Sequence, residues 1–463
     1  MGSVAGDERD KSGSRIIDRR NDNVCDHDIN SQPLRCAVRE LQRSVTSMTQ
    51  LLLTNARIFD GASENCAEGM NVLVADGFIQ EVSTQPIRSN DAQVINLGGR
   101  TLMPGLIDAH VHAFASDVDV QKIEAFGESY RTAHAVRMLS HALSCGFTTV
   151  RDIGGGNYGL ARAMTDGLMA GPRYFYAGKI LSMTGGHGDM RQISERSRYE
   201  SVCGCSNGSI FNTFSVLADG VDACIHAARE ELRQGAHCIK IMGSGGVASP
   251  TDPIWMNQYR EDEIRAIVNE CTERRTYVSA HCHPASAVRR CVEFGVRAIE
   301  HGTLIDDDTA RFVAEKGAYI VPTMSVIFAL AEQGRKLGFP AQSQEKMDFA
   351  FKSALSGLDS MRRAGVKVCY GTDLLGSTYT QQCREFTLRR EVFTPLEILR
   401  QATSVAAEMM MMAGQIGCIA IGAHADMLVV DGDPLKDISL MAADGRNLRA
   451  ILRAGELVKN ELN

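Results

Sequence analysis

From Thr101 to about Ala407 the chain alternates in a way that few folds tolerate: eight short apolar runs, each followed by a longer amphipathic or charged segment. The runs end near His112, Ile153, Ile180, Gly243, His283, Gly302, Met324 and Asp373; Glu261–Arg275 follows the fourth and Pro284–Phe294 the fifth. Strands alternating with helices at this spacing build a parallel sheet, and eight repeats point to an α/β fold of the (β/α)8 TIM-barrel kind rather than an open sheet. In such a barrel the C-terminal strand ends share one mouth. The residues at those ends are therefore the ones to read for function.

The two ends of the chain have a different texture. Leu51–Phe59 and Asn71–Val82 are short, partly alternating segments separated by a Gly-rich turn, a hairpin pattern. Asp426–Val430 and Ala450–Val458 match them, with Gly432-Asp433-Pro434 as turn chemistry. Both ends are expected to combine into a small β-sandwich domain, residues 48–100 with 408–463, flanking a barrel of residues 101–407. Residues 1–47, rich in Arg, Asp, Asn and Ser, cannot bury enough apolar surface to offset their ordering entropy. They read as a disordered leader or as an extension ahead of a start at Met48, and they lack the apolar centre of a signal peptide.

A length of 463 residues suits one large barrel plus a smaller module. The net charge of −7 offers no footprint for nucleic acid or an anionic membrane. Apolar stretches such as Ala318–Ala331 fall short of the ~20 residues of a membrane span. The fourteen cysteines are scattered, several of them inside apolar runs (Cys145, Cys238, Cys369), and read as reduced thiols of a cytoplasmic protein. Cys203 and Cys205 lie close together, but no second pair follows at zinc-finger spacing, so they read as loop thiols.

The first barrel run ends as Leu106–His112, L-I-D-A-H-V-H. Residues i and i+2 of a strand share a face, so His110 and His112 can put two imidazoles on one ion. The fourth run carries Lys240 in an otherwise apolar stretch before a Gly-rich turn. The fifth ends S-A-H-C-H (Ser279–His283), the sixth I-E-H-G (Ile299–Gly302) and the eighth Y-G-T-D (Tyr370–Asp373). Singly, each has an ordinary structural explanation: a buried Lys pairs with a carboxylate, and a strand-end His bonds a carbonyl. Unrelated core residues have no reason to collect at the ends of five different strands. His, Asp and a modified Lys supply the N and O donors that suit Zn²⁺.

The set D-A-H-V-H, I-K-I-M-G-S-G-G, S-A-H-C-H, I-E-H-G-T and G-T-D resembles the binuclear amidohydrolase superfamily. Within it, the chain is similar to the branch of imidazolonepropionase-like hydrolases, Xaa-Pro dipeptidases and carboxypeptidases, and ochratoxinase. The similarity runs from about Leu51 to Val458 and includes Met183–Asp189 and the terminal A-D-M-L-V-V-D-G-D-P-L. The resemblance implies that His110, His112 and Asp373 hold one divalent metal and His281 and His301 a second. Lys240, carboxylated by CO₂, would bridge them as a carbamate. A low-dielectric site lowers a lysine pKa, and the neutral amine can then take up CO₂ and become an anion.

The resemblance further implies a metal-bridging hydroxide that attacks an amide carbonyl. Asp373 would take its proton and pass it to the leaving amine. His187 and His283 are expected to contact the substrate or its oxyanion, although for His283 a hydrogen bond supporting the ligands is an equal reading. Tyr259 and Arg260 are candidates to bind a substrate carboxylate. Arg191–Phe214 is an insertion at the mouth that matches no pattern and is a natural seat of specificity. The expected enzyme is a Zn²⁺-dependent hydrolase, a homo-oligomer by family habit. It would cleave a C–N bond next to a free carboxylate in a dipeptide, an N-acyl amino acid or an ochratoxin-like amide. A cyclic-amide or lactam hydrolase of the imidazolonepropionase or dihydropyrimidinase kind is the alternative. A catalytically dead scaffold is disfavoured, because every ligand is present.

Overall fold

The computed structural model of the chain describes residues 50–123, 125–194 and 213–462. The expected leader, Cys203, Cys205 and most of the Arg191–Phe214 insertion lie outside the described residues.

Strands from both termini share one mixed eight-stranded sheet. Its members are β1 (Leu51–Ile58), β2 (Ala67–Ala75), β3 (Phe78–Ser83), β4 (Gln93–Asn96) and β5 (Thr101–Pro104), with three strands from the C-terminal region described below. Asn71–Val82, read as one strand, is itself a hairpin. Asp76 and Gly77 both adopt positive φ (54° and 79°), the geometry of a two-residue turn whose twist matches the flanking strands.

The parallel strands follow: β6 (Leu106–Val111), β7 (Phe147–Asp152), β8 (Arg173–Tyr176), β9 (Ile180–Ser182), β10 (Ser215–Leu217), β11 (Ile239–Met242), β12 (Val278–Pro284), β13 (Ala298–Leu304), β14 (Tyr319–Val321) and β15 (Lys367–Val368). The order β10-β9-β11-β12-β13-β14-β15 forms one sheet and β6-β7-β8 another. Backbone bonds join the two. Ala109 N–H donates to Tyr370 O (2.9 Å) and Asp373 N–H to His110 O (2.8 Å), while His237 N–H donates to Tyr176 O (2.8 Å) beside β11. The third apolar run, expected to end at Ile180, is divided between β8 and β9. Every residue of β6, β7 and β11 is buried, as befits parallel strands covered on both faces.

Helices follow the strands where the sequence places them, including Glu261–Glu273 after β11 and Ala285–Glu293 after β12. Asp307–Lys316 shows the local logic: the Asp306 side chain accepts from Thr309 N–H at the start, and Gly317, at φ 67°, ends the helix. Two helices, Met324–Leu337 and Ala341–Ala364, follow β14. The chain returns through β16 (Met427–Val430), β17 (Leu448–Arg453) and β18 (Glu456–Asn460), which complete the terminal sheet in the order β18-β17-β16-β5-β1-β2-β3, with β4 beside β1. Ala450–Val458 is thus a second hairpin, turned at Ala454-Gly455. Where the sequence suggests a sandwich, the ladders run through one continuous sheet with its own core, including Leu53, Val72, Ile79, Leu102 and Val429. β5 belongs to that sheet, so the first barrel strand begins at Leu106 and not at Thr101.

Candidate metal centre

The C-terminal ends of β6, β11, β12 and β13 and the segment after β15 bring their polar residues to one cavity. His110, His112, Lys240, His281, His301 and Asp373 all line it, with His187 and His283. His110 Nε2 and His112 Nε2 are 3.3 Å apart, and each is 3.3 Å from Asp373 Oδ1. Three donors therefore surround one point. The rings of His110 and His301 have centroids 5.1 Å apart, and those of His281 and His301 4.5 Å.

Two of these residues have strained backbones: His301 has φ 73° and Asp373 φ 54°. For His301 the consequence is visible. Consecutive strand residues normally face opposite sides, yet Glu300 accepts from His110 Nδ1 (2.7 Å) while the His301 ring also packs on His110. The left-handed backbone turns both side chains inward. Such outliers persist only where surrounding structure holds them, and His301 is held by Nδ1 against Thr323 Oγ1 at 2.8 Å.

One buried atom tests whether these donors suit a metal. His281 Nε2 has no hydrogen-bond partner among the described residues. Leaving such an atom dry and unpaired costs about 1–3 kcal/mol, and a coordinated cation removes that cost. The protonation states agree. Burial pulls His112 down to about 4 against the charge of Asp373, and holds His281 and His301 well below the usual histidine value, helped by their neighbouring imidazoles. Their nitrogen lone pairs are free at neutral pH. Burial likewise lowers Lys240, against the opposing charges of Glu300 and Asp373, toward the neutral amine that reacts with CO₂. Asp373 is held below the ordinary carboxylate range because His110, and after it His112 and Lys240, outweigh its burial. The residues fit a divalent metal centre.

His187 and His283 complete the polar floor. His187 Nδ1 meets Ser249 Oγ at 2.7 Å and Asp252 Oδ2 at 3.5 Å, and His283 Nδ1 meets Thr303 Oγ1 at 3.1 Å. Both rings thus keep Nε2 for the cavity. The outer wall is apolar, built by Val120, Val326, Ile327, Leu330, Phe339 and Met347.

Tyr259 and Arg260 are not brought to this cavity. Tyr259, at φ 55°, turns its ring inward, is 4% exposed and lies against Cys224. Arg260 begins the helix Glu261–Glu273, and its side chain is 82% exposed beside Asp262. The carboxylate contact expected of this pair is corrected accordingly.

Several supporting residues were not assigned from sequence. Glu300, fully buried, also accepts from Arg151 Nη2 (2.6 Å) and Ser279 Oγ, and Arg151 is itself 1% exposed. Asp108 accepts from Thr372 Oγ1 and Gln382 Nε2, both at 2.7 Å, behind Asp373. A charged residue inside an apolar run, as in F-T-T-V-R-D and I-E-H-G, is the signal that could have flagged Arg151 and Glu300.

The sequence profile of the amidohydrolase family matches residues 101–458. The chain belongs to that family. This amidohydrolase is 30% identical over 378 residues to ochratoxinase of Aspergillus niger, covering 77% of this chain and 75% of that one. A crystal structure of an amidohydrolase is 46% identical with a TM-score of 0.86, covering 90% of this chain and all of the other. A crystal structure of a prolidase complexed with N-methylphosphonate-L-proline is 42% identical with a TM-score of 0.84, covering 89% of this chain and all of the other. Membership makes the chain a hydrolase with a TIM-barrel-type α/β fold, in a family that generally binds divalent metals and acts on small molecules. No helix among the described residues is long and apolar enough to cross a membrane.

Proposed function

We infer that this amidohydrolase cleaves an amide or peptide C–N bond in a small molecule, using two Zn²⁺ ions held at the strand ends. The observation that carries the reading is the buried, unpartnered Nε2 of His281 among convergent donors. His110, His112 and Asp373 would hold one ion, His281 and His301 the other, and Lys240, as its carbamate, both. When bound, the ions supply Lewis acidity toward the carbonyl and lower the pKa of water.

The chain's own residues do the rest. Asp373 sits between His110 and His112 and, at 17% exposed, faces the cavity, so it is placed to accept a proton from the attacking water and return it to the leaving nitrogen. His187, fixed through Nδ1 by Ser249, presents Nε2 to a developing oxyanion. His283, fixed by Thr303, is a second such donor. The apolar outer wall excludes water and selects a substrate with a large apolar group beside the scissile bond.

A free carboxylate next to the scissile bond is supported by the prolidase relative, whose complexed ligand contains L-proline. The class proposed is therefore an N-acyl amino acid, dipeptide or ochratoxin-like amide with a large apolar residue. A Zn²⁺-loaded screen comparing such compounds with their C-terminal carboxamides and with cyclic imides tests this. Turnover of acids with bulky apolar groups is expected. Activity confined to the cyclic imides overturns the reading, and equal turnover of acids and carboxamides removes the carboxylate from it.

A further inference from the structure

A second group of metal-binding side chains lies outside the cavity, where three distant parts of the chain meet. Cys145 ends the helix Glu128–Ser144, Cys383 precedes the helix Arg384–Arg389, and Asp444 lies in the loop between β16 and β17 of the terminal sheet. The two Sγ atoms and a carboxylate oxygen of Asp444 all lie within 4.8 Å of one another. His141, one turn before Cys145 on the same helix, brings Nε2 to 3.5 Å from Cys145 Sγ. None of the four lines the catalytic cavity.

Both thiols are reduced and buried, while His141 is half-buried and Asp444 exposed. The group is thus closed on the protein side and open on the solvent side, which leaves a path for an ion. Its position is set by close packing. A Cβ on Gly445 would meet Ser144 O at 2.1 Å, so the Asp444 loop is pressed against the helix end that carries Cys145.

We propose that Cys145, Cys383, His141 and Asp444 bind one Zn²⁺-class ion as a structural site that ties the terminal sheet to the barrel helices. Two thiols, an imidazole and a carboxylate are the donors zinc takes, and they are poor donors for Mg²⁺ or Ca²⁺. Tetrahedral zinc, with Zn–S about 2.3 Å and Zn–N about 2.0 Å, spaces its donors roughly 3.4–3.8 Å apart. The His141–Cys145 distance of 3.5 Å already has that value. The three-atom group within 4.8 Å needs to contract by about 1 Å at most; His141 Nε2 lies beside Cys145 but outside that group, so the exposed Asp444 side chain and a rotation of the half-buried His141 ring together supply the movement. Because its donors come from separated parts of the chain, the ion's binding free energy would stabilise their association.

Cobalt substitution tests the site independently of hydrolysis, because the catalytic donors are N and O only and thiolate ligation gives Co²⁺ a near-ultraviolet charge-transfer band. The full chain loaded with Co²⁺ is expected to show the band and to keep it in Lys240→Ala. The band and one metal equivalent per chain are expected to be lost in Cys145→Ser and in Cys383→Ser. Asp444→Asn, a surface change compatible with folding, is expected to weaken Co²⁺ binding by about tenfold. No band, a band that persists in both serine variants, or a Cys145–Cys383 disulfide in non-reducing peptide maps overturns the proposal.

Discussion

Glu300 offers the sharpest test of how the centre is supported. Its carboxylate, 0% exposed, accepts from His110 Nδ1 at 2.7 Å and from Arg151 Nη2 at 2.6 Å, and the guanidinium is 1% exposed. Burial opposes ionisation of Glu300, but Arg151 and then His110 outweigh it and hold the carboxyl well below its ordinary value. Glu300→Ala would strip the counter-charge from a buried cation, a change that costs about 3–5 kcal/mol. Arg151 keeps Ala109 O at 2.6 Å and Tyr277 Oη at 3.5 Å, which sets the expectation toward the lower half of that range. Glu300→Gln preserves shape and one acceptor, so it should cost about 1.5–3 kcal/mol. In the pair Glu300→Leu with Arg151→Met no charge remains, so the double variant should be more stable than the two single losses sum to, by about 2 kcal/mol or more. Urea denaturation of the metal-free proteins measures this cycle without a contribution from bound ions. Zinc titration reads the second consequence, a roughly tenfold weaker affinity in Glu300→Gln because His110 loses the acceptor that orients its ring. A Glu300→Gln protein within about 0.5 kcal/mol of the parent, or a cycle that is additive, refutes the support assigned to Glu300.

Gly246→Ala would place a Cβ 2.4 Å from His187 Nε2 and 2.6 Å from His281 Nε2, so both rings must move; a loss in kcat/KM of about 100-fold or more is expected, with circular dichroism unchanged. Parental kcat/KM in that variant would contradict the placement of these rings at the reacting groups. Burial pushes Asp252 up, but its hydrogen bond with His187, that ring's charge and Ser249 outweigh this and hold it at about 2. Against about 3.9 in the unfolded chain, the depression contributes about 2–3 kcal/mol, fully present above pH 4 and lost as the pH falls toward 2. The stability gap between the parent and Asp252→Asn should shrink across that window, and a gap independent of pH in denaturant titrations counts against it. Chelator treatment should abolish hydrolysis, with recovery on Zn²⁺ plus bicarbonate in the parent and none in Lys240→Ala. Recovery in that variant would exclude a bridging role for the lysine.

What was legible in the sequence was local. The alternation of apolar runs with amphipathic segments marks the strands and their ends, because period-two burial and helical periodicity are written into short windows. His110, His112, Lys240, His281, His301 and Asp373 stood out because polar groups at the ends of apolar runs are rare. The same windows failed where chain direction changes inside an apolar pattern: Asn71–Val82 and Ala450–Val458 each conceal a two-residue turn, at Asp76-Gly77 and Ala454-Gly455.

Tertiary structure alone decided three matters. It paired Glu300 with Arg151, 149 residues apart, through an inward turn at His301 whose positive φ no propensity announces. It carried Tyr259 into the core and Arg260 into solvent, through a backbone turn that their side-chain chemistry did not foretell. It left part of the apolar surface of Met324–Leu337 and Ala341–Ala364 facing the cavity rather than the core. In sequence, an apolar residue that lines a binding site and one that fills a core are the same residue. Only packing decides whether the space in front of it is occupied by protein or left for a substrate.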